Sequence, residues 1–222
     1  MRKLSVNSFV TLDGVMQAPG GPEEDPSGGF KHGGWSVNYW DGLMGQIMSD
    51  YMAKPFELLL GRKTYEIFAA HWPYSKEDPA AKILNAAKKY VVSKKLNSVE
   101  WNNSSLLKGD IVQEIKKLKT QNGPEIQVHG SSNLIQTLLK NNLADEMQIW
   151  IFPVTVGGGK RLFGDGTIPA GFKLLESRIS ETGVIISTYK PGGELKVGSF
   201  ALENPTGAEF KRREKLKAES NL

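Results

Sequence analysis

Two segments of this chain, about seventy residues apart, each pass from an apolar strand through a glycine into the start of a helix. The first runs from Leu58 through Gly61 to Glu66, and the second from Ile126 through Gly130 to Leu134. Short apolar runs of this kind are typical of strands buried in a parallel sheet. At such a junction, unpaired backbone N–H groups and the positive end of a helix dipole face one spot, which suits a phosphate group.

Polar side chains at both junctions add further donors for an anion. Arg62, Lys63 and Thr64 follow the first glycine, and Ser131 and Ser132 follow the second. Two phosphate-binding junctions in one small domain predict a ligand with two separated phosphate groups. NADPH is a ligand with two separated phosphate groups. Neither the G-x-G-x-x-G nor the P-loop spacing is present, so the pattern predicts a different nucleotide scaffold.

The composition indicates one ordinary globular domain. The chain has 222 residues, 39% of them hydrophobic and 23% charged, which is enough to bury a full core. It has no cysteine, which excludes a disulfide framework and cysteine nucleophiles, and its three histidines lack the spacing of metal ligands, so no metal is expected. No apolar run could span a membrane and no secretion signal is recognisable, so we expect a cytoplasmic protein without a membrane partner.

Positive charge concentrates between Lys82 and Lys119, where nine lysines accompany three acidic residues. This stretch has two interpretations: a solvated surface, or an electropositive wall for an anionic ligand. Aromatic residues do not alternate with the lysines as a base-stacking surface would require. Nucleic acid is therefore not an expected partner.

The hydrophobic periodicity predicts an α/β fold with a largely parallel sheet and a C-terminal antiparallel hairpin. Strands are predicted at 3–12, 56–60, 88–93, 126–129 and 147–154, with hairpin strands at 172–179 and 184–190. Helices are predicted at 42–54 and 64–70, after Asp110, and after Ser131 or Ser132. Residues 17–36, rich in glycine and proline, predict a long mobile loop, and 191–222 predict a charged extension beyond a domain of residues 1–190.

Four motifs, in the same order along the chain, resemble the dihydrofolate reductase superfamily. Residues 60–66 resemble its strand–Gly-Arg-x-Thr–aromatic segment, and residues 90–94 resemble the next strand, whose end holds the adenosine 2′-phosphate. Gly130-Ser131-Ser132 stands where the superfamily usually has a Gly-Gly pair against the pyrophosphate. Residues 143–163 are similar to the reductase domain of the bifunctional bacterial riboflavin-biosynthesis enzyme and its stand-alone relatives.

The resemblance implies a dihydrofolate-reductase-like fold, a homodimer, NADPH as cofactor and hydride transfer to a small heterocyclic or conjugated C=N or C=O substrate. The implied cofactor-binding residues are Gly61, Arg62, Lys63, Thr64, Ser93, Lys94, Gly130, Ser131 and Ser132. Asp13 and Asp41 are the candidate catalytic residues, and Trp35, Tyr39, His129 and Gly158 are candidates for substrate contact.

Two departures from the superfamily pattern leave the substrate open. Dihydrofolate reductases carry a pterin-binding carboxylate early in the first helix, and here Asp41 and Asp50 flank that place. Riboflavin-pathway reductases carry a glutamate where this chain has His129, which is either a proton donor or a packed histidine. The alternatives are a reductase of 5-amino-6-(5-phosphoribosylamino)uracil, a dihydrofolate reductase, or a nucleotide-binding relative that kept the fold without the chemistry.

Overall fold

The computed structural model describes residues 1–220 and contains one eight-stranded sheet. Its strands are β1 (Leu4–Thr11), β2 (Phe56–Gly61), β3 (Lys89–Val92), β4 (Ser104–Leu107), β5 (Glu125–Val128), β6 (Glu146–Phe152), β7 (Gly171–Ile179) and β8 (Ile185–Gly193). They lie in the order β4-β3-β2-β5-β1-β6-β8-β7. Strands β1 to β6 pair in parallel, whereas β8 runs antiparallel to both β6 and β7. The predicted α/β fold with a terminal antiparallel hairpin is confirmed.

Five helices cover both faces of this sheet: α1 (Gly42–Ala53), α2 (Arg62–His71), α3 (Pro79–Ala86), α4 (Ile111–Thr120) and α5 (Ser132–Lys140). A sixth helix, α6 (Gly207–Glu219), buries no residue. Helices α4 and α5 pack on one face, in the cluster that contains Leu59. Helices α2 and α3 pack on the other, with Leu58 and Leu60, and α1 lies on that same face against Trp150. Successive leucines of β2 therefore belong to opposite layers, as a strand buried on both faces requires.

Three features differ from the sequence-based expectations. Helix α3 was not predicted because it is short and buries only Ala81 and Leu84. Strand β4 was not predicted because an edge strand that begins with two serines has no apolar pattern. Strand β8 continues to Gly193 instead of ending before Pro191. Pro191 lies beyond the residues that pair with β6, so its missing N–H group costs no hydrogen bond on that side.

The predicted long loop between β1 and α1 is confirmed, and its own contacts fix its shape. The Gln17 amide donates to the carbonyls of Asp25 and Ser27 at 2.8 and 2.9 Å. The Trp35 indole donates to the Gln17 carbonyl at 2.8 Å, and Phe30 and Trp35 are both buried. These bonds satisfy backbone groups that the lack of regular structure would leave unpaired. The mobility of the loop remains a prediction.

Beyond β8, residues 194–206 form neither helix nor strand, and α6 follows them. Throughout residues 1–220, no helix combines the length and the apolar character that crossing a membrane demands.

Candidate functional site

The predicted cofactor residues lie at the carboxyl ends of three neighbouring parallel strands. Gly61 ends β2, Ser93 and Lys94 follow β3, and Gly130 follows β5 by two residues. Gly61 pairs in register with Val92, so the ends of β3 and β2 are level. Ligands of open α/β sheets bind outside the carboxyl ends of the strands. The topology therefore assembles at one edge residues that are up to seventy positions apart in sequence.

The two glycine junctions touch each other. The Gly61 N–H donates to the Gly130 carbonyl at 3.0 Å. A Cβ atom on Gly61 would lie 2.3 Å from Ser131 Oγ and 2.8 Å from Ser131 N, and one on Gly130 would lie 2.6 Å from Thr64 Oγ1. Gly130 also has a φ of 142°, a backbone conformation that side chains disfavour. Only glycine fits at these two positions without a shift of the neighbouring atoms.

The helices that start at these junctions differ from the other helices in how they begin. In α1, α3, α4 and α6 a side chain caps the N-terminus: Asp41, Asp78, Asp110 and Thr206 each accept from first-turn N–H groups. Helices α2 and α5 start at Gly61 and Ser131, and neither has a side-chain cap within the described residues. Their first-turn N–H groups are left for another acceptor. Because Gly61 contacts Ser131, two such helix ends meet at one place.

Three cationic residues lie in or next to the elements that end at this edge of the sheet. Lys63, in the first turn of α2, and Lys94, just beyond β3, are exposed. Arg62 already forms an ion pair, since its guanidinium donates to both carboxylate oxygens of Glu66 at 2.7 and 2.9 Å. The Ser93 hydroxyl accepts from the N–H groups of Lys95 and Leu96 and so shapes the turn that carries Lys94. The electrostatics at this edge favour an anionic ligand.

Asp13 holds together the ends of β1 and β6. Its carboxylate accepts from the Thr11 hydroxyl at 2.5 Å and from the N–H groups of Val156 and Gly157 at 3.3 and 2.8 Å. These hydrogen bonds, chiefly that of Thr11, lower the pKa of Asp13 below its usual value. Asp13 therefore stays charged and fixes the loop that leads to Gly158.

Gly158 lines a cavity of about 440 Å³ between the β1–α1 loop and the β6–β7 loop. The other lining residues include Gln17, Lys31, His32 and Lys160. Gln17 also accepts from the Lys160 N–H at 2.9 Å, and the Lys160 ammonium binds Asp25 and Ser27. Gln17, Lys31 and His32 are not among the site residues predicted from the sequence. No spacing signal could have found them, because a loop brings them to the cavity.

Asp41, Trp35 and Tyr39 lie elsewhere. The Asp41 carboxylate caps α1 through Met44 N at 2.9 Å and accepts from Glu181 N, in the β7–β8 turn, at 2.8 Å. Trp35 and Tyr39 pack their rings on Phe152, with centroid distances of 5.2 and 6.0 Å. The structure gives these three side chains packing and capping contacts, and it places none of them on the wall of the 440 Å³ cavity.

His129 belongs to an aromatic cluster under α1 and α2. Its ring lies 6.1 Å from the rings of both Tyr51 and Phe68, and Nε2 is buried without a hydrogen-bond partner in the described residues. Burial lowers the pKa of His129 to about 4. The imidazole is therefore neutral at pH 7. His129 has no imidazolium proton to donate at that pH.

Comparison with known proteins assigns a family to this arrangement. The RibD C-terminal domain profile matches residues 2–186, which is most of the chain. The chain belongs to the RibD C-terminal domain family. A further similar protein is YyaP of Bacillus subtilis (strain 168), itself uncharacterized, at 28% identity over 201 residues that cover 86% of this chain and 96% of YyaP.

Solved structures share the fold of this RibD C-terminal domain protein. A putative riboflavin biosynthesis protein from Shewanella sp. PV-4 superposes with a TM-score of 0.60 at 24% identity, over 85% of this chain and 98% of that one. A pyrimidine reductase-like protein from Corynebacterium diphtheriae gives 0.57 at 13%, over 86% and 92% of the two chains. Dihydrofolate reductase from Enterococcus faecalis, complexed with NADP(H), gives 0.54 at 15%, over 86% and 96%. The predicted dihydrofolate-reductase-like fold is confirmed.

Proposed function

We propose that this protein is an NADPH-dependent reductase that transfers a hydride to a small heterocyclic or conjugated C=N or C=O substrate. One observation carries the proposal: the N-termini of α2 and α5, both without side-chain caps, meet at the Gly61–Ser131 contact. Membership of the RibD C-terminal domain family supports a reductase. The NADP(H) complex of a protein with the same fold supports the choice of cofactor.

The residues at the carboxyl ends of β2, β3 and β5 fit a dinucleotide that carries a third phosphate group. The α2 and α5 first-turn N–H groups, with Thr64, Ser131 and Ser132, would bind the pyrophosphate. Ser93 and Lys94, beyond β3, would bind the 2′-phosphate, and Lys63 would add charge beside them. The missing side chains of Gly61 and Gly130 let the two helix ends come close enough to share one anion. When bound, NADPH supplies the hydride.

The substrate would enter the 440 Å³ cavity beside Gly158. In this proposal Asp13 is a positioning residue, because its carboxylate already accepts from two backbone N–H groups and orients the loop before Gly158. The β1–α1 loop would exclude water from the reacting groups. We expect a flat heterocycle of the kind reduced in the riboflavin pathway to bind there. The cytoplasmic location and the domain limit at residue 190 remain predictions.

One observation favours a second candidate, a nucleotide-binding relative without catalysis. The carboxylates of Asp13 and Asp41 both accept from backbone N–H groups, and His129 is neutral, so none of the three is a free acid at pH 7. Oxidation of NADPH in the presence of aminopyrimidine, dihydrofolate and other conjugated substrates separates the candidates. Turnover of any of them supports the reductase, whereas NADPH binding with no turnover supports the second candidate.

Titration of the purified protein with NADPH and NADH, followed by nicotinamide fluorescence and thermal shift, tests the cofactor. Binding to the native state must stabilise it, by about 2.7 kcal/mol at a ligand concentration of 100 times Kd. We expect NADPH to bind more tightly than NADH. Failure of both nucleotides to bind would overturn the proposed function.

Replacing Lys94 with glutamate is expected to weaken NADPH binding at least tenfold and to leave NADH binding nearly unchanged. The 2′-phosphate distinguishes the two nucleotides, and the substitution places a negative charge where that group would bind. Parallel fluorescence titrations with both nucleotides measure the effect. Lys82→Glu, on the exposed surface of α3, is the matched control with the same change in net charge. An equal loss of affinity for NADH would refute this assignment of Lys94.

A further inference from the structure

The loop between β3 and β4, residues 93–103, carries Ser93 and Lys94, the two residues that would bind the 2′-phosphate. It forms neither helix nor strand. In the part of the chain that the structure describes, the N–H groups of residues 94–101 donate to no backbone carbonyl. Four of them donate to side-chain hydroxyls instead, two to Ser93 and two to Tyr65. The path of this loop therefore depends on two hydroxyl groups.

The Tyr65 hydroxyl holds the far end of the loop. Its oxygen accepts from the N–H groups of Glu100 and Trp101 at 2.9 and 3.0 Å. A phenol oxygen can accept hydrogen bonds in this way while it keeps its own O–H group. Tyr65 belongs to α2 and is only 6% exposed, so its ring is fixed by packing. These two hydrogen bonds therefore join a rigid helix to an irregular loop.

Trp101, on the loop side of this contact, is itself fixed by its surroundings. It is also 6% exposed, and its indole donates to the Asn85 side-chain oxygen at 2.6 Å. The Lys89 ammonium lies 4.1 Å from the centre of its ring, a cation–π contact. The hydrogen bonds of Tyr65 thus end at a residue that the core already holds in place.

Between the two hydroxyl contacts, the loop turns its apolar side chains inward and Lys94 outward. Leu96 and Val99 pack in the cluster that contains α2 and α3, whereas Lys94 is exposed. Helix α2 begins after Gly61, where the pyrophosphate would bind, and its Tyr65 hydroxyl holds this loop. One helix therefore serves both proposed phosphate sites, the first with its N-terminus and the second through the loop.

We propose that Tyr65 is a positioning residue for the discrimination of NADPH from NADH, and that it acts through Lys94. This inference rests on the proposed function. A loop that is fixed before binding presents Lys94 to the 2′-phosphate without the entropic cost of ordering it. NADH lacks that phosphate, so its binding does not depend on the loop. Tyr65 itself is buried and would contact neither nucleotide.

Tyr65→Phe keeps the ring and removes the hydroxyl, so the N–H groups of Glu100 and Trp101 lose their acceptor. We expect the affinity for NADPH to fall about fivefold, because the loop must now be ordered on binding, and the affinity for NADH to stay nearly unchanged. Parallel fluorescence titrations measure both. An equal loss for the two nucleotides, or no loss for either, would overturn the proposal.

Tyr51→Phe is the matched control for this variant. The Tyr51 hydroxyl is hydrogen-bonded to Ser5 at 2.9 Å, under α1, and so the control also removes an inward-facing hydroxyl. Both variants should have a lower Tm than the natural protein, since each loses hydrogen bonds. Only Tyr65→Phe should change the ratio of the two nucleotide affinities, which a merely structural role would leave as it is.

A double-mutant cycle tests whether Tyr65 acts through Lys94. In the Lys94→Ala background, the cation that the loop presents is missing, and Tyr65→Phe should not weaken NADPH binding further. A further loss of the same size as in the natural background would show that Tyr65 affects the nucleotide by another route, and it would overturn the proposed role.

Amide hydrogen exchange of the nucleotide-free protein tests the structural premise without any ligand. Residues 94–101 should exchange faster in Tyr65→Phe than in the natural protein and at the natural rate in Tyr51→Phe. Unchanged exchange in Tyr65→Phe would refute the premise. A natural protein that binds neither nucleotide would overturn the proposed function and this inference together. A natural protein that prefers NADPH, with a Tyr65→Phe variant that keeps the full preference, would overturn this inference alone.

Discussion

Replacing Gly61 with alanine is expected to weaken NADPH binding about 100-fold, which corresponds to about 2.7 kcal/mol. The new Cβ would lie 2.3 Å from Ser131 Oγ and 2.8 Å from Ser131 N. The hydroxyl can rotate away, but the backbone nitrogen moves only if the start of α5 moves. The two uncapped helix ends would separate, and their N–H groups would no longer converge on one phosphate. Overpacking of this kind also lowers the free energy of unfolding by about 1–3 kcal/mol.

Fluorescence titration with NADPH and urea denaturation measure both parts of this prediction. Gly45→Ala is the matched control, because a Cβ there meets nothing within 4 Å and the residue lies inside α1. That variant should bind NADPH normally and gain about 0.5–1 kcal/mol of stability. If Gly61→Ala bound NADPH as the natural protein does, the proposed pyrophosphate site would be in the wrong place.

Acid is expected to destabilise the natural protein by up to about 3 kcal/mol more than the His129→Phe variant. Burial lowers the pKa of His129 to about 4, against 6.5 for a free histidine. The unfolded chain therefore binds a proton at a higher pH than the folded protein does. The stability that neutral His129 confers is complete above about pH 6.5 and is lost as the pH falls toward 4.

Urea denaturation at a series of pH values between 7.5 and 4 checks the sign and the size of this effect. Phenylalanine keeps an aromatic ring beside Tyr51 and Phe68 but cannot titrate. His32→Gln, at an exposed position, is the control and should follow the natural protein at every pH. Parallel curves for the natural protein and His129→Phe would show that His129 reaches solvent and charges in the folded state.

The sequence predicted the local parts of the site better than their arrangement. Gly61 and Gly130 were recognisable because a glycine between a strand and a helix is a local signal. The contact between them depends on β2 and β5 being neighbours, which follows from the order of the strands in space and not from either segment. The cavity beside Gly158 likewise needs a loop whose path is set by Trp35 and Gln17.

Asp41 shows that a residue type alone does not separate a structural role from a catalytic one, and its catalytic role stays a prediction. An aspartate before Gly42 and Leu43 is as typical of a helix N-cap as of a catalytic acid, and the structure shows it capping α1. Trp35 is predicted to contact the substrate as an aromatic side chain close to the glycine-rich loop, and that contact stays a prediction. The structure shows its ring buried against Phe152. Phe152 is distant from Trp35 in sequence, so this contact could not be predicted from the neighbouring residues.

The two helices that meet at the Gly61–Ser131 contact belong to different layers of the protein, because α2 packs under one face of the sheet and α5 under the other. An anion held by both would be a further link between two hydrophobic cores that lie on opposite faces of the sheet. Loss of the anion would lower the local stability of both layers together. Amide hydrogens in α2 and α5 should then exchange faster in the nucleotide-free protein, in step with each other, so occupancy of the site would set the local stability of both layers.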